Sequence, residues 1–118
     1  KCIGGAQRKV GIAASAGLYA LKHNIARLAE DHANASYMAE LLADAGIAVE
    51  RVNNMTNMVF FPMPDSYADD DKFVSECASK GLLIHLTSPR RVRLVTHLDV
   101  TKDDVKTAVS IIKEVLCA

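Results

Sequence analysis

A glycine-rich basic segment opens the chain, with the sequence Gly4-Gly5-Ala6-Gln7-Arg8-Lys9. Glycine permits tight backbone turns, the amides at a helix N-terminus attract anions, and arginine binds phosphate through paired hydrogen bonds. The segment therefore fits a phosphate-binding loop in which Arg8 is the ligand. A flexible lead-in with solvated charges explains the same residues, and short basic segments of this kind are common enough that the spacing alone favours that explanation.

A second basic group, Arg90-Arg91-Val92-Arg93, lies in a predicted strand. Strand alternation places Arg91 and Arg93 on one face, opposite Val92 and Leu94. An arginine held on a strand binds a carboxylate in a defined orientation. The alternative is an edge strand that uses charge to prevent aggregation, and the residues alone favour that alternative.

The histidines show no catalytic or metal-binding spacing. They are His23, His32, His85 and His97. A structural role is favoured for each, and His32 falls on the predicted apolar face of its helix. The residues predict no catalytic group and no metal site, so by themselves they do not establish an enzyme.

Composition limits the classes of partner. The 118 residues carry 14 basic and 14 acidic side chains, so no net field attracts nucleic acid or an anionic membrane. The apolar run at residues 10–21 is shorter than the roughly 20 residues that span a membrane. Three scattered cysteines (Cys2, Cys77 and Cys117) lack a CxxC pair, which favours a reducing, cytoplasmic location over a secreted scaffold.

The hydrophobic periodicity predicts an α+β fold, with helices packed on a small, mostly antiparallel, four-stranded sheet. The predicted helices cover residues 6–23, 24–46 and 101–116, and a further helix begins near the acidic residues 69–71 and ends at Gly81. The predicted strands cover residues 47–52, 58–61, 82–86 and 91–96. Asn24 and a Thr101–Asp104 capping box are expected to begin two helices, and Gly46 and Gly81 to end two. The first helix is apolar all round, so we expect another lobe or subunit to cover it.

Four collinear segments resemble the C-terminal third of low-specificity L-threonine aldolases. They are Gly4 to Leu21, Arg27-Leu28-Ala29-Glu30-Asp31-His32-Ala33-Asn34-Ala35, Thr56-Asn57-Met58-Val59-Phe60 and Val92-Arg93-Leu94-Val95-Thr96-His97-Leu98-Asp99-Val100. The resemblance implies the small domain of a fold type I pyridoxal-phosphate enzyme. The loop differs from the family's sequence at Ala6, Gln7 and Lys9. Arg8 still aligns with the arginine of the family's loop.

The resemblance also implies roles for three residues. Arg93 matches the arginine that binds the α-carboxylate of the amino-acid substrate. Arg8 matches the arginine that reaches the cofactor phosphate of a neighbouring subunit, and Lys1 matches a basic residue that points toward the same cofactor site. A homotetramer with shared sites is therefore expected. His97 is given structural support only, and His85 inherits no role.

The implied activity of the parent protein is cleavage of L-threonine, L-allo-threonine and related β-hydroxy-α-amino acids to glycine and an aldehyde. The family's Schiff-base lysine precedes the glycine-rich loop, so this stretch alone is expected to be inactive. Residues 1–23 are predicted to link to a large domain missing from this chain, which begins without methionine, and residues 24–118 to form the small domain. The alternatives are a non-catalytic assembly or regulatory module and a different lyase of the same fold, such as a β-eliminating enzyme.

Overall fold

The computed structural model of the chain describes residues 8–50 and 56–117. These ranges contain four helices and three strands, in the order α1 (Gly11–His23), α2 (Leu28–Asp44), β1 (Met58–Pro62), α3 (Asp70–Ser79), β2 (His85–Ser88), β3 (Arg91–Val95) and α4 (Lys102–Leu116). The predicted α+β class is confirmed. No helix among the described residues has the length and apolarity needed to cross a membrane.

The sheet is antiparallel, with β3 in the centre between β1 and β2. The predicted count of four strands is wrong for the described residues, which form three. The missing strand is the one predicted at residues 47–52. The chain at this point closes the C-terminal end of α2 instead. The amide of Gly46 donates to the carbonyl of Ala43, and the amide of Ile47 donates to the carbonyl of Leu42.

Only one backbone hydrogen bond joins the described part of this segment to the sheet. The amide of Glu50 donates to the carbonyl of Phe60 at 2.9 Å, and a single bond does not make a ladder. The rest of the predicted strand and the predicted Asn53–Asn54 turn lie outside the described residues. The strand predicted at residues 82–86 also shifts, since β2 begins only at His85.

The core lies between one face of the sheet and helices α2, α3 and α4. Strand alternation creates the inner face, because Val59 and Phe61 on β1 and Val92 and Leu94 on β3 are all buried. The helices supply matching apolar residues at helical spacing, which include the fully buried Leu42, Phe73 and Ile112. The opposite face of the sheet is not covered by these helices.

Helix ends follow the local sequence signals except at the starts of α1 and α2. The predicted start of α1 near residue 6 is wrong for the described residues, because residues 8–10 form a turn and the helix begins at Gly11. Gly46 and Gly81 adopt φ of +80° and +88° just after their helices end, a conformation that favours glycine. Thr101 and Asp104 form the predicted capping box of α4. The predicted cap of α2 is wrong, because Asn24 instead closes α1 through a hydrogen bond from its amide to the carbonyl of Ala20.

No residue of helix α1 is buried, so this helix adds nothing to the core. Its apolar side chains are open to solvent, with Ile12 76% and Leu21 65% exposed. The prediction that another lobe or subunit covers them stays a prediction. His32 on α2 is also exposed, so its predicted place on the apolar face is wrong.

Candidate functional site

The candidate site lies on the sheet face that points away from the core, which we call the open face. Its residues alternate with the buried ones along each strand, so they share one side of the sheet. They are Met58, Phe60 and Pro62 on β1, Arg91, Arg93 and Val95 on β3, and His85 on β2. The predicted placement of Arg91 and Arg93 on one face is therefore confirmed.

Arg91 is held by a carboxylate beside the sheet. Its Nε lies 2.9 Å and 3.2 Å from the two carboxylate oxygens of Glu50, and its Nη2 lies 2.7 Å from Oε2. The guanidinium carbon also lies 4.4 Å from the ring centroid of Phe60, within the range of a cation–π contact. The hydrogen bond from Arg91 lowers the pKa of Glu50 from its usual value. The charge of Arg91 is thus balanced within the fold.

Arg90 has a different structural task. It adopts φ of 63° in the turn between β2 and β3, and its amide donates to Oδ2 of Asp70 at 2.7 Å. Its guanidinium donates to the carbonyls of Pro64, at 2.7 Å, and Tyr67. These bonds fasten the loop before α3 to the hairpin, which leaves little of the guanidinium for a ligand.

Arg93 is the arginine of this group that the fold leaves available. It is half-buried in the middle of the central strand, and its side chain makes no hydrogen bond or ion pair with the residues that the structure describes. The register places it between Phe60 on β1 and His85 on β2. A guanidinium on a paired central strand is well suited to bidentate binding of a carboxylate, as the sequence predicted.

A pocket of about 350 Å³ opens beside Arg93, where β2 has not yet joined the sheet. Its walls are mainly apolar and include Leu82, Ile84 and Val105, while its polar lining comes from His85, Arg93, His97 and Asp104. The carboxylate of Asp104 already accepts from the amide of Thr101 at 2.9 Å and from its hydroxyl at 2.6 Å. Arg93, whose side chain has no partner among the described residues, is therefore one of the polar residues that line this pocket.

Buried hydrogen bonds fix the end of β3, just beyond Arg93. The hydroxyl of fully buried Thr96 donates to the carbonyl of Asp31 at 2.7 Å. The amide of Thr96 donates to the carbonyl of Asn57 at 2.9 Å, and the side-chain amide of Asn57 donates back to the carbonyl of Thr96 at 2.7 Å. Asn34 holds the following loop through the carbonyl of Val100 at 3.1 Å. These bonds tie β3 to α2 and to the residue before β1.

Arg8 lies in an exposed turn just before α1, and Lys9 beside it has φ of 56°. The position agrees with the predicted basic group at a helix N-terminus, where free amides favour an anion. Arg8 does not line the pocket beside Arg93, so this chain does not bring the two predicted anion-binding arginines together there. Lys1 lies outside the described residues.

Several contributors to this site were missed by the sequence reasoning. Glu50, Phe60 and His85 reach the open face through long-range pairing, which leaves no local sequence signal. Within residues 8–50 and 56–117, no group of three or more His, Cys, Asp or Glu side chains could hold a metal ion.

Curated sequences related to this chain include threonine aldolases. A low specificity L-threonine aldolase of Escherichia coli K12 is 46% identical over 105 residues, which cover 89% of this chain and 30% of the relative. A low-specificity L-threonine aldolase of Arabidopsis thaliana is 32% identical over 118 residues, covering 98% of this chain and 33% of the relative. The chain thus spans about a third of the length of these relatives, and the resemblance seen in its motifs is confirmed.

Solved structures with a similar fold belong to other enzymes. An 8-amino-7-oxononanoate synthase from Francisella tularensis matches with a TM-score of 0.69 and 16% identity, over 89% of this chain and 32% of that one. An ornithine aminotransferase from Plasmodium yoelii matches with a TM-score of 0.53 and 17% identity, over 71% and 22%. At these identities the likeness is one of fold.

Residues 1–66, more than half of the chain, match the family model described as beta-eliminating lyase. The related sequences carry the name threonine aldolase, so membership in this family does not by itself distinguish aldol cleavage from β-elimination. The chain belongs to the beta-eliminating lyase family.

Proposed function

We propose that this chain is the C-terminal part of a threonine-aldolase-type lyase. The parent protein cleaves the Cα–Cβ bond of L-threonine, L-allo-threonine and related β-hydroxy-α-amino acids, releasing glycine and an aldehyde. The observation that carries the proposal is Arg93, which has no partner among the described residues and lies on the rigid central strand beside a small pocket. The related threonine aldolases support this choice over β-elimination.

Arg93 binds the α-carboxylate of the substrate in this proposal. Its planar guanidinium offers two parallel N–H donors to the two carboxylate oxygens, which fixes the orientation of the amino acid as well as its position. Arg91 is less suited to this role, because Glu50 already accepts hydrogen bonds from its Nε and Nη2 and balances its charge. The hydrogen bonds of Thr96 to Asp31 and Asn57 keep β3, and with it Arg93, in place.

Family membership supports pyridoxal phosphate as the cofactor of the parent protein. Arg8 is suited to bind the phosphate group of this cofactor, because it is exposed beside the N-terminus of a 13-residue helix. When bound, this cofactor supplies the electron sink that cleavage of a carbon–carbon bond requires. In this proposal, the lysine that holds the cofactor covalently precedes this chain in the parent protein, so the chain alone is inactive.

The exposed apolar side chains of α1 support a homo-oligomer, in which Arg8 serves the cofactor site of a neighbouring subunit. The predicted form is a cytoplasmic tetramer. Lys1 belongs to the same proposed cofactor site.

The test replaces Arg93 with lysine in the full-length protein and compares it with Arg91→Lys, a change of the same kind on the same face. Arg93→Lys should raise KM for threonine by at least about tenfold, since one point charge replaces a bidentate pair. Cofactor absorbance should be unchanged. Arg91→Lys should keep KM within about twofold, because Glu50 still balances its charge.

Unchanged kinetics in Arg93→Lys would refute the role of Arg93. A full-length protein that neither binds the cofactor nor cleaves threonine would instead favour the non-catalytic assembly or regulatory module.

A further inference from the structure

His85 occupies an unusual position at the start of β2, directly across from Arg93. Directly opposed residues in an antiparallel pair point to the same face, with Cβ atoms about 4.5 to 5.5 Å apart. Both residues also line the pocket of about 350 Å³. His85 is exposed, and its side chain makes no hydrogen bond or ion pair with residues 8–50 or 56–117. The cross-strand pairing therefore brings both side chains within reach of one small ligand.

A β-bulge places His85 on this face. Ser88 pairs with Arg91, but Leu86 pairs with Val92, so Thr87 is an extra residue in β2. A regular ladder continued from the Ser88–Arg91 pair would set Leu86 opposite Arg93 and His85 opposite Leu94, which faces the core. A slip of one residue turns every side chain to the other face of a sheet. The bulge therefore moves His85 to the open face, and bulges are over-represented beside active sites for this kind of re-aiming.

The surrounding charges favour an anion between the two side chains. Among the described residues that line the pocket, Asp104 is the one with a carboxylate, and this carboxylate already accepts hydrogen bonds from Thr101. Glu50 is bound to Arg91. Neither carboxylate is therefore free to compete for Arg93 or His85. An imidazole N–H beside an unpaired guanidinium forms a two-residue donor set for one carboxylate group.

We propose that His85 is a second binding residue for the α-carboxylate of the amino-acid substrate. Arg93 provides the charged, bidentate contact, and His85 donates one hydrogen bond from the neighbouring strand. This inference rests on the proposed function, because it assumes that Arg93 binds that carboxylate. The contact exists equally in the ground state and in the transition state, so its loss should weaken binding and leave the chemical step unchanged.

The experiment compares His85→Ala, His85→Asn and the matched control His32→Asn in the full-length protein. His32 is an exposed histidine on α2 and does not line the pocket. For each variant, KM and kcat are measured with threonine, and the Kd of the product glycine is measured by calorimetry. His85→Ala should raise KM and the glycine Kd together, by about fivefold to tenfold, with kcat within about twofold.

His85→Asn keeps an N–H donor of similar reach and should recover at least half of that loss on a logarithmic scale. His32→Asn should change nothing. Unchanged KM and glycine Kd in His85→Ala, with Arg93→Lys impaired, would overturn this inference alone. Normal kinetics in Arg93→Lys would overturn the proposed function as well. Equal losses in His85→Ala and His85→Asn, with a lowered unfolding temperature, would show a structural role and would also overturn the inference.

Discussion

Replacing Thr96 with valine tests whether the end of β3 is fixed by a buried hydrogen bond. Valine has nearly the same shape, so the change removes the hydroxyl without opening a large cavity. Thr96 is fully buried, and its hydroxyl lies 2.7 Å from the carbonyl of Asp31. A net hydrogen bond is worth about 1 kcal/mol, and a buried carbonyl that faces a methyl group adds to the cost. We expect Thr96→Val to lower the free energy of unfolding by about 1.5 kcal/mol.

Thr107→Val provides the matched control. The hydroxyl of Thr107 also donates to a backbone carbonyl, that of Asp103 at 3.0 Å, but this residue is exposed on α4. Water replaces the lost partner there, so the free energy of unfolding should change by less than about 0.5 kcal/mol.

Urea denaturation of the 118-residue chain, followed by circular dichroism, measures both variants under the same conditions. The difference between the two is the informative quantity, because both variants make the same chemical change. Equal losses of stability would refute the argument that burial of the hydroxyl makes the contact of Thr96 with α2 important.

Two further predictions follow from shifted pKa values. The hydrogen bond from Arg91 lowers the pKa of Glu50 in the folded state, so its contribution to stability is complete above the unfolded pKa and is lost as the pH falls through the folded one. Wild type should therefore be more stable than Glu50→Gln at pH 7, and in urea titrations the gap should close as the pH falls through the folded pKa of Glu50; a gap independent of pH would contradict this. Burial, followed by the charge of Glu76, raises the pKa of the Cys77 thiol to about 11, so iodoacetamide at pH 8 should label exposed Cys117 and spare Cys77 in the native chain. Rapid labelling of native Cys77, detected by mass spectrometry, would contradict that prediction.

Local signals in the sequence predicted the helix ends well. The capping box of Thr101 and Asp104, and the positive φ of Gly46 and Gly81, depend on residues close together in the chain. The predicted start of α2 was wrong. Asn24 lies between two helical segments and could cap either one, and in the structure it ends α1. A cap residue between two helical segments does not itself specify which helix it belongs to.

Features that depend on pairing between distant residues were not predictable in this way. The predicted number of strands was wrong after α2, where the amides of Gly46 and Ile47 donate to carbonyls at the end of that helix. The neighbour of Arg93 on β2 depends on a single extra residue, Thr87, and no spacing rule places a bulge there. The resemblance to threonine aldolases pointed to Arg93 but gave His85 no role, because His85 lies in a stretch that varies within that family.

The three arginines near the start of β3 show why the fold is needed to assign a function to a basic sequence. By residue type, Arg90, Arg91 and Arg93 are equivalent candidates for an anion site. The fold gives Arg90 a set of loop carbonyls and Arg91 a carboxylate, and both are structural uses. It leaves Arg93 on the central strand beside a small pocket, with no partner among the described residues. The proposed function therefore assigns the substrate carboxylate to Arg93 and not to its two neighbours.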